Sequence, residues 1–142
     1  MSRNTFRGAH KDEANSGNAI HLWNSTHTVV EGNDVTGHRD GIYLEFARRA
    51  SILDNESRGN LRYGLHFMYS DSCEYRRNVF AANASGVAVM YSGHVTMADN
   101  RFEDNSFVGN MTPLTLVGRR TDTAFAANYW SDNEEPDLDG DG

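Results

Sequence analysis

The sequence predicts an all-β chain wound as a right-handed parallel β-helix of about five coils, each of roughly 22 residues. Three observations carry this. A five-residue alternating motif recurs at nearly constant spacing, asparagine recurs at a fixed offset from it, and no segment keeps a helical apolar period over 12 residues.

The motif runs Ala19-Ile20-His21-Leu22-Trp23, Gly41-Ile42-Tyr43-Leu44-Glu45, Gly64-Leu65-His66-Phe67-Met68 and Gly86-Val87-Ala88-Val89-Met90, with starts stepping by 22, 23 and 22 residues. A weaker fifth copy, Pro113-Leu114-Thr115-Leu116-Val117, follows after 27. Alternation makes this the first strand of each coil and sends Ile20/Leu22, Ile42/Leu44, Leu65/Phe67, Val87/Val89 and Leu114/Leu116 inward. A second apolar patch follows in each copy: Val29-Val30, Ile52-Leu53, Cys73 with Tyr75, and Val95 with Met97. Cys73 takes the slot of Val95, which predicts a core thiol rather than a nucleophile. Asn33, Asn55, Asn78 and Asn100 stand 14 residues into their copies and Asn128 stands 15 into its own. Five residues later come His38, Asn60, Asn83, Asn105 and Asn133. Val35, Ser57, Phe80, Phe102 and Trp130 start a short third strand two residues after the first asparagine. Stacked asparagines satisfy backbone groups at corners, and Gly41, Gly64 and Gly86 mark positions needing positive φ or close backbone approach.

Three strands and three turns in this length suit one β-helix coil, and the Leu-x-x-Leu-x-Leu pattern of leucine-rich repeats is absent. Five coils at about 4.8 Å span roughly 24 Å. Asn4-Thr5-Phe6 repeats the tail of a copy. Residues 1–16 therefore read as a frayed partial coil, 17–133 as the β-helix and 134–142 as an acidic tail.

Composition narrows the function classes. Over 142 residues, 13 Lys and Arg face 20 Asp and Glu, a net charge of −7 with no basic stripe, which argues against nucleic acid as partner. No apolar run approaches the roughly 18 residues of a membrane span. A single cysteine excludes an intrachain disulfide framework. The opening Met1-Ser2-Arg3-Asn4-Thr5 has no apolar stretch of a secretory signal.

The outward side of the first strand reads His21 and Trp23, Tyr43 and Glu45, His66 and Met68, Ala88 and Met90, Thr115 and Val117. Methionine is unusual on an exposed strand unless it packs on or binds something. His66 and Met68 share one face, and Met68 stacks on Met90 one coil later. Imidazole plus two thioethers is a soft donor set suited to Cu(I). His66, Met68 and Met90 are the candidate copper ligands, with Glu45 as an outer acceptor. His21 lies two coils away, roughly 10 Å, too far for the same ion. The bland alternative is that both methionines pack under Tyr69 or Tyr91 and that His66 is a surface side chain.

Other chemistry is weaker. Glu31, Glu45, Asp54 and Asp71 form no evident acid–base pair. His27 and His94 occupy matching places in different coils, with no histidine in the coils between, and His10 and His38 read as corner or surface residues. Nucleophile-elbow, phosphate-loop and zinc patterns are absent. Asp137-Leu138-Asp139-Gly140-Asp141-Gly142 spaces three carboxylates like the opening of a Ca²⁺ loop without its downstream Glu, and a solvated tail is the favoured reading.

The runs Arg39-Asp40-Gly41-Ile42-Tyr43-Leu44-Glu45-Phe46, Arg62-Tyr63-Gly64-Leu65-His66-Phe67-Met68-Tyr69-Ser70 and Gly86-Val87-Ala88-Val89-Met90-Tyr91-Ser92 resemble the NosD copper-accessory proteins. So does Asn128-Tyr129-Trp130-Ser131-Asp132 with the acidic end, and the resemblance covers about residues 17–142. It implies a periplasmic right-handed β-helix working beside an ABC transporter and a copper chaperone to supply nitrous oxide reductase, without catalytic turnover. Family members are longer and begin with an export signal, so the chain reads as a fragment or a shortened relative. Two other readings stay open: a carbohydrate-binding or carbohydrate-active β-helix using Trp23 and Tyr43, and a scaffold that docks a partner through its aromatic and methionine face.

Overall fold

Each coil of this computed structural model is three short strands joined by tight corners, and the described residues are 1–9, 12–107, 110–111, 114–118 and 123–131. Strand β1 (Thr5–Arg7) and a 3₁₀ turn (Glu13–Asn15) precede the first full coil. Asp12 caps that turn by accepting from the Asn15 amide at 3.0 Å. The coils are β2 (Ile20–Trp23), β3 (Val29–Glu31) and β4 (Asp34–Thr36); β5 (Ile42–Glu45), β6 (Ser51–Leu53) and β7 (Glu56–Arg58); β8 (Tyr63–Met68), β9 (Glu74–Arg76) and β10 (Val79–Ala81); and β11 (Ser85–Met90), β12 (Thr96–Ala98) and β13 (Arg101–Glu103). After an antiparallel pair, β14 (Ser106–Phe107) and β15 (Asn110–Met111), come β16 (Leu114–Val117), β17 (Ala124–Ala126) and β18 (Tyr129–Trp130). That pair occupies the extra residues that lengthen the last repeat step.

Like strands stack on like. The sheets run β2-β5-β8-β11-β16, β3-β6-β9-β12-β17 and β1-β4-β7-β10-β13-β18, and every pairing within them is parallel. The chain is a parallel β-solenoid, as the repeat predicts. Each coil contacts only its neighbours, so register set once is handed down the stack.

The core follows the predicted files. Ile42, Leu44, Leu65, Phe67 and Val87 are fully buried, as are Val30, Ile52, Tyr75 and Met97. Cys73 is buried and free, and burial raises its thiol pKa. Phe80, Phe102 and Trp130 stack down the third sheet with centroids 5.4 and 4.2 Å apart. Two expectations change. Val29 and Leu53 lie outside the core, because alternation leaves only Val30 and Ile52 facing in. Leu116, predicted inward, is 57% exposed, because β16 is the last strand of its sheet and no further described strand covers it.

Corners carry the asparagine ladders. Asn55 Oδ1 accepts from the Asn33 amide and side chain at 3.0 and 2.9 Å, and the same pairing repeats from Asn55 to Asn78, Asn78 to Asn100 and Asn100 to Asn128. A second ladder links Asn60, Asn83 and Asn105. Asn133 lies outside the described residues.

Gly41 and Gly64 are required by close approach, since a Cβ on Gly64 would sit 2.7 Å from Gly86 O and 2.8 Å from Asn83 Nδ2. Positive φ falls mostly on other residues. Asn24, Phe46, Tyr69 and Tyr91 form one left-handed file at φ 46, 53, 49 and 50°, and His27, Arg49, Ser72 and His94 form another at 54, 52, 56 and 50°. The left-handed conformation costs about 1–2 kcal/mol per residue. Inter-coil bonds such as Phe46 N–H to Met68 O (3.0 Å) and Tyr91 N–H to Val117 O (2.7 Å) offset it.

Candidate functional site

The site grows from the junction between corner and first strand. Asp40 precedes Gly41, and Arg62 stands 22 residues later, one coil on. Asp40 is buried, and its oxygens accept from Arg62 Nε at 3.0 Å and Nη2 at 3.2 Å. A fork-to-fork pair of this kind is charge-assisted and fixes both planes. Burial pulls the Arg62 pKa down, but Asp40, Tyr63 and Glu13 outweigh it and the net shift is upward. Glu13 comes from the 3₁₀ turn and meets Arg62 Nη1 at 3.4 Å, tying the N-terminal excursion to this spot. The Arg62 guanidinium also lies 5.0 Å from the centroid of the Tyr63 ring.

Asp40 Oδ2 has a second neighbour, His66 Nδ1, at 3.2 Å. Arg62 donates to both carboxylate oxygens, so the carboxylate is the acceptor and Nδ1 carries the hydrogen. In neutral imidazole this leaves the lone pair on Nε2. That atom is buried and has no hydrogen-bond partner among the described residues.

The sequence reading places His66 on an exposed face, and this needs correction. The face is right: Leu65 and Phe67 point into the core, and His66 lies in register with Tyr43 and Ala88. The exposure is not, because His66 is only 2% accessible. Tyr43 and Tyr63 pack their rings against it at 4.7 and 4.8 Å, and the Arg62–Asp40 pair closes the corner beside it. His21 extends the row, stacked on Tyr43 at 4.6 Å and two coils from His66 as predicted. Burial raises the pKa of Tyr43, with Glu45 and Asp40 adding to it, and burial raises that of Tyr63.

Met68 and Met90 are in register on β8 and β11, both half-buried, in the file Trp23, Glu45, Met68, Met90, Val117. The stacking predicted for them is therefore present, about 4.8 Å apart at the backbone. Glu45 is the register neighbour of Met68, yet its Oε2 lies 3.5 Å from His21 Nε2. The carboxylate that holds His66 is Asp40, which sequence reasoning passed over. Its signal is in the sequence: opposite charges one repeat apart, Asp40 one position and Arg62 two positions before a required glycine.

The remaining candidates stay apart from this cluster. His94 pairs with Asp71 at 3.0 Å on the surface, and His27 meets Thr26 at 2.9 Å. The His38 amide donates to Asn60 Oδ1 at 3.0 Å. His10 and the acidic tail lie outside the described residues. Among the described residues, no three His, Cys, Asp or Glu side chains gather as a metal cage.

The model of one protein family, described as periplasmic copper-binding protein (NosD), matches residues 2–135. The chain belongs to the NosD family. The match begins at the partial coil rather than at residue 17, so β1 and the excursion holding Glu13 are inside it. No curated protein and no solved structure matches the chain. Among the described residues no helix is long and apolar enough to cross a membrane.

The donors can be tested against copper as they stand. No three His, Cys, Asp or Glu side chains gather among the described residues, while two half-buried thioethers lie in register on the same sheet face as a histidine with an unpartnered Nε2. Such a set fits a soft monovalent ion better than an oxygen-seeking one.

Proposed function

We propose that this NosD-family chain carries copper as cargo, bound as Cu(I) by Met68, Met90 and His66 Nε2. In this reading it serves assembly of the copper centres of nitrous oxide reductase beside an ABC transporter and a copper chaperone, without turnover of its own. The supporting observation is the unpartnered Nε2 of a buried, oriented histidine on the same strand face as Met68, itself in register with Met90. Asp40 and Arg62 act as positioning residues: they hold the imidazole in one tautomer and one plane. The methionines are long and flexible, and can reach or release an ion without moving the backbone.

The test is anaerobic Cu(I) titration against a colorimetric chelator, comparing wild type with a Met68→Leu/Met90→Leu double variant. Leucine keeps the volume and removes both sulfurs, so thermal melts should coincide. The expected result is at least about a tenfold loss of affinity. Equal affinity in both proteins rejects the assignment.

A further inference from the structure

A cleft of about 750 Å³ opens outside the first three coils, at the corner that follows the first strand. Trp23 and Phe46 form its apolar walls, 66% and 48% exposed. Phe46 ends a stack. Its ring lies 5.3 Å from Tyr69 and Tyr69 lies 5.2 Å from Tyr91, with interplanar angles of 9 and 16°. Asn24 holds the next place in that left-handed file, so the stack stops and Phe46 keeps one unstacked face.

Two further features point to a ligand. Arg48 and Arg49 line the cleft and are exposed, and among the described residues neither guanidinium forms an ion pair; Arg49 meets His27 Nε2 at 3.5 Å. Asp71, one coil from Arg48, is hydrogen-bonded by Ser72 and His94 and feels the Arg48 charge without bridging it. Ser25 also lines the cleft, with its Oγ buried on the inward side of the corner. At the matching corner positions the hydroxyls of Ser70 and Ser92 accept backbone amides of the preceding coil, Ala47 at 3.1 Å and Ser70 at 2.9 Å. Ser25 sits in the first coil and has no such donor.

These groups select a chemical class. An open aromatic face takes the C–H face of a ring. Guanidinia that no carboxylate bridges take one from a ligand. The exposed Asn24 amide and Thr26 hydroxyl on the polar wall take ring hydroxyls. A wholly aromatic ligand would leave the polar wall unmatched, and a small inorganic anion would not use the rings. We propose that this cleft is a binding subsite for an acidic sugar, a hexuronate unit of a glycan. None of its lining residues is a proposed copper donor, so it does not depend on the copper reading.

The experiment titrates the ¹⁵N-labelled full chain with trigalacturonate, maltotriose and citrate, following the Trp23 indole N–H and the Ser25 amide. Trigalacturonate should give saturable shifts at both reporters. Affinity should fall at least about tenfold in Arg48→Ala/Arg49→Ala and in Phe46→Ala, with other amides unmoved. Citrate matching trigalacturonate would mean charge alone, and maltotriose matching it would mean no role for the arginines; either overturns the proposal. So does the absence of shifts up to about 10 mM ligand. If a variant loses its dispersed spectrum, the three-ligand comparison on the wild-type chain decides.

Discussion

Asn78→Ala is the sharpest probe of what holds the coils in register. Asn78 is 1% exposed. Its Oδ1 accepts from the Asn55 amide at 2.9 Å and from Asn55 Nδ2 at 3.0 Å, while its Nδ2 donates to Ile52 O at 2.8 Å and to Asn100 Oδ1 at 3.0 Å. Not all of these partners would be stranded. Asn55 Nδ2 keeps Val30 O and Leu53 O, and Asn100 Oδ1 keeps the backbone amide of residue 78. The Asn55 amide has no such alternative, and an orphaned buried donor costs about 1–3 kcal/mol. Bonds lost elsewhere add roughly 0.5–1.5 kcal/mol each. With three such bonds the total is roughly 2.5–7.5 kcal/mol, or about 8–25 °C in Tm for a chain of this size. Urea and thermal melts followed by circular dichroism measure it, with the solvent-facing Glu31→Ala as the control expected within about 0.5 kcal/mol of wild type. Asn78→Asp sharpens the test. Its second oxygen would face two acceptors, Ile52 O and Asn100 Oδ1, so its folded-state pKa would be raised. Its deficit should therefore be largest at neutral pH and shrink as pH falls and the carboxyl gains a proton to donate. An Asn78→Ala loss no larger than that of the control would refute the ladder as the source of register.

Tyr75→Phe should stabilise the protein by about 1 kcal/mol in the same melts, because the buried Tyr75 hydroxyl has no partner among the described residues; a loss of stability would reveal a partner for that oxygen. At the surface, Arg77 Nε and Nη2 each donate to Asp54 at 2.8 Å and hold its carboxyl below the usual 3.8. NMR titration should place Asp54 below that value in wild type and nearer to it in Arg77→Gln. The depressed folded value means the pair's support is present above the unfolded pKa and fades as pH falls through the folded one; an Asp54 midpoint indifferent to Arg77→Gln would discard the pairing.

Most of the architecture was legible because a solenoid writes its geometry as a period. Residues 22 apart become neighbours, so Met68 over Met90, the Ile42–Leu65–Val87 file and the asparagine ladders could all be read before any coordinates. What escaped has physical causes. Left-handed corners at Phe46, Tyr69, Tyr91 and Arg77 carry no glycine, because inter-coil hydrogen bonds rather than local preference impose that conformation. The burial of His66 was missed because alternation assigns a face, not what lies over it. Tyr63 and Arg62 cover that face from just ahead of the required Gly64, positions with no apolar signature. Asp40 was overlooked for the same reason: a charged residue at a turn reads as surface until its partner one coil away is considered.

The proposed copper site divides between a rigid part and a soft part, and the division follows from the fold. His66 is set by a bidentate ion pair, a hydrogen bond and two flanking rings, so its nitrogen has one position. The methionines are fixed only at the backbone, by the parallel register of β8 and β11, and remain half-buried. A site rigid in all its donors would hold copper through slow exchange, whereas one soft in all of them would not discriminate. If the proposed site holds copper, fixing one donor while leaving two thioethers free to swing would let an incoming sulfur or imidazole replace them one at a time, as delivery would require. A stacked coil achieves this because neighbouring strands bring donors from adjacent coils within one strand spacing while each side chain keeps its own rotamer freedom.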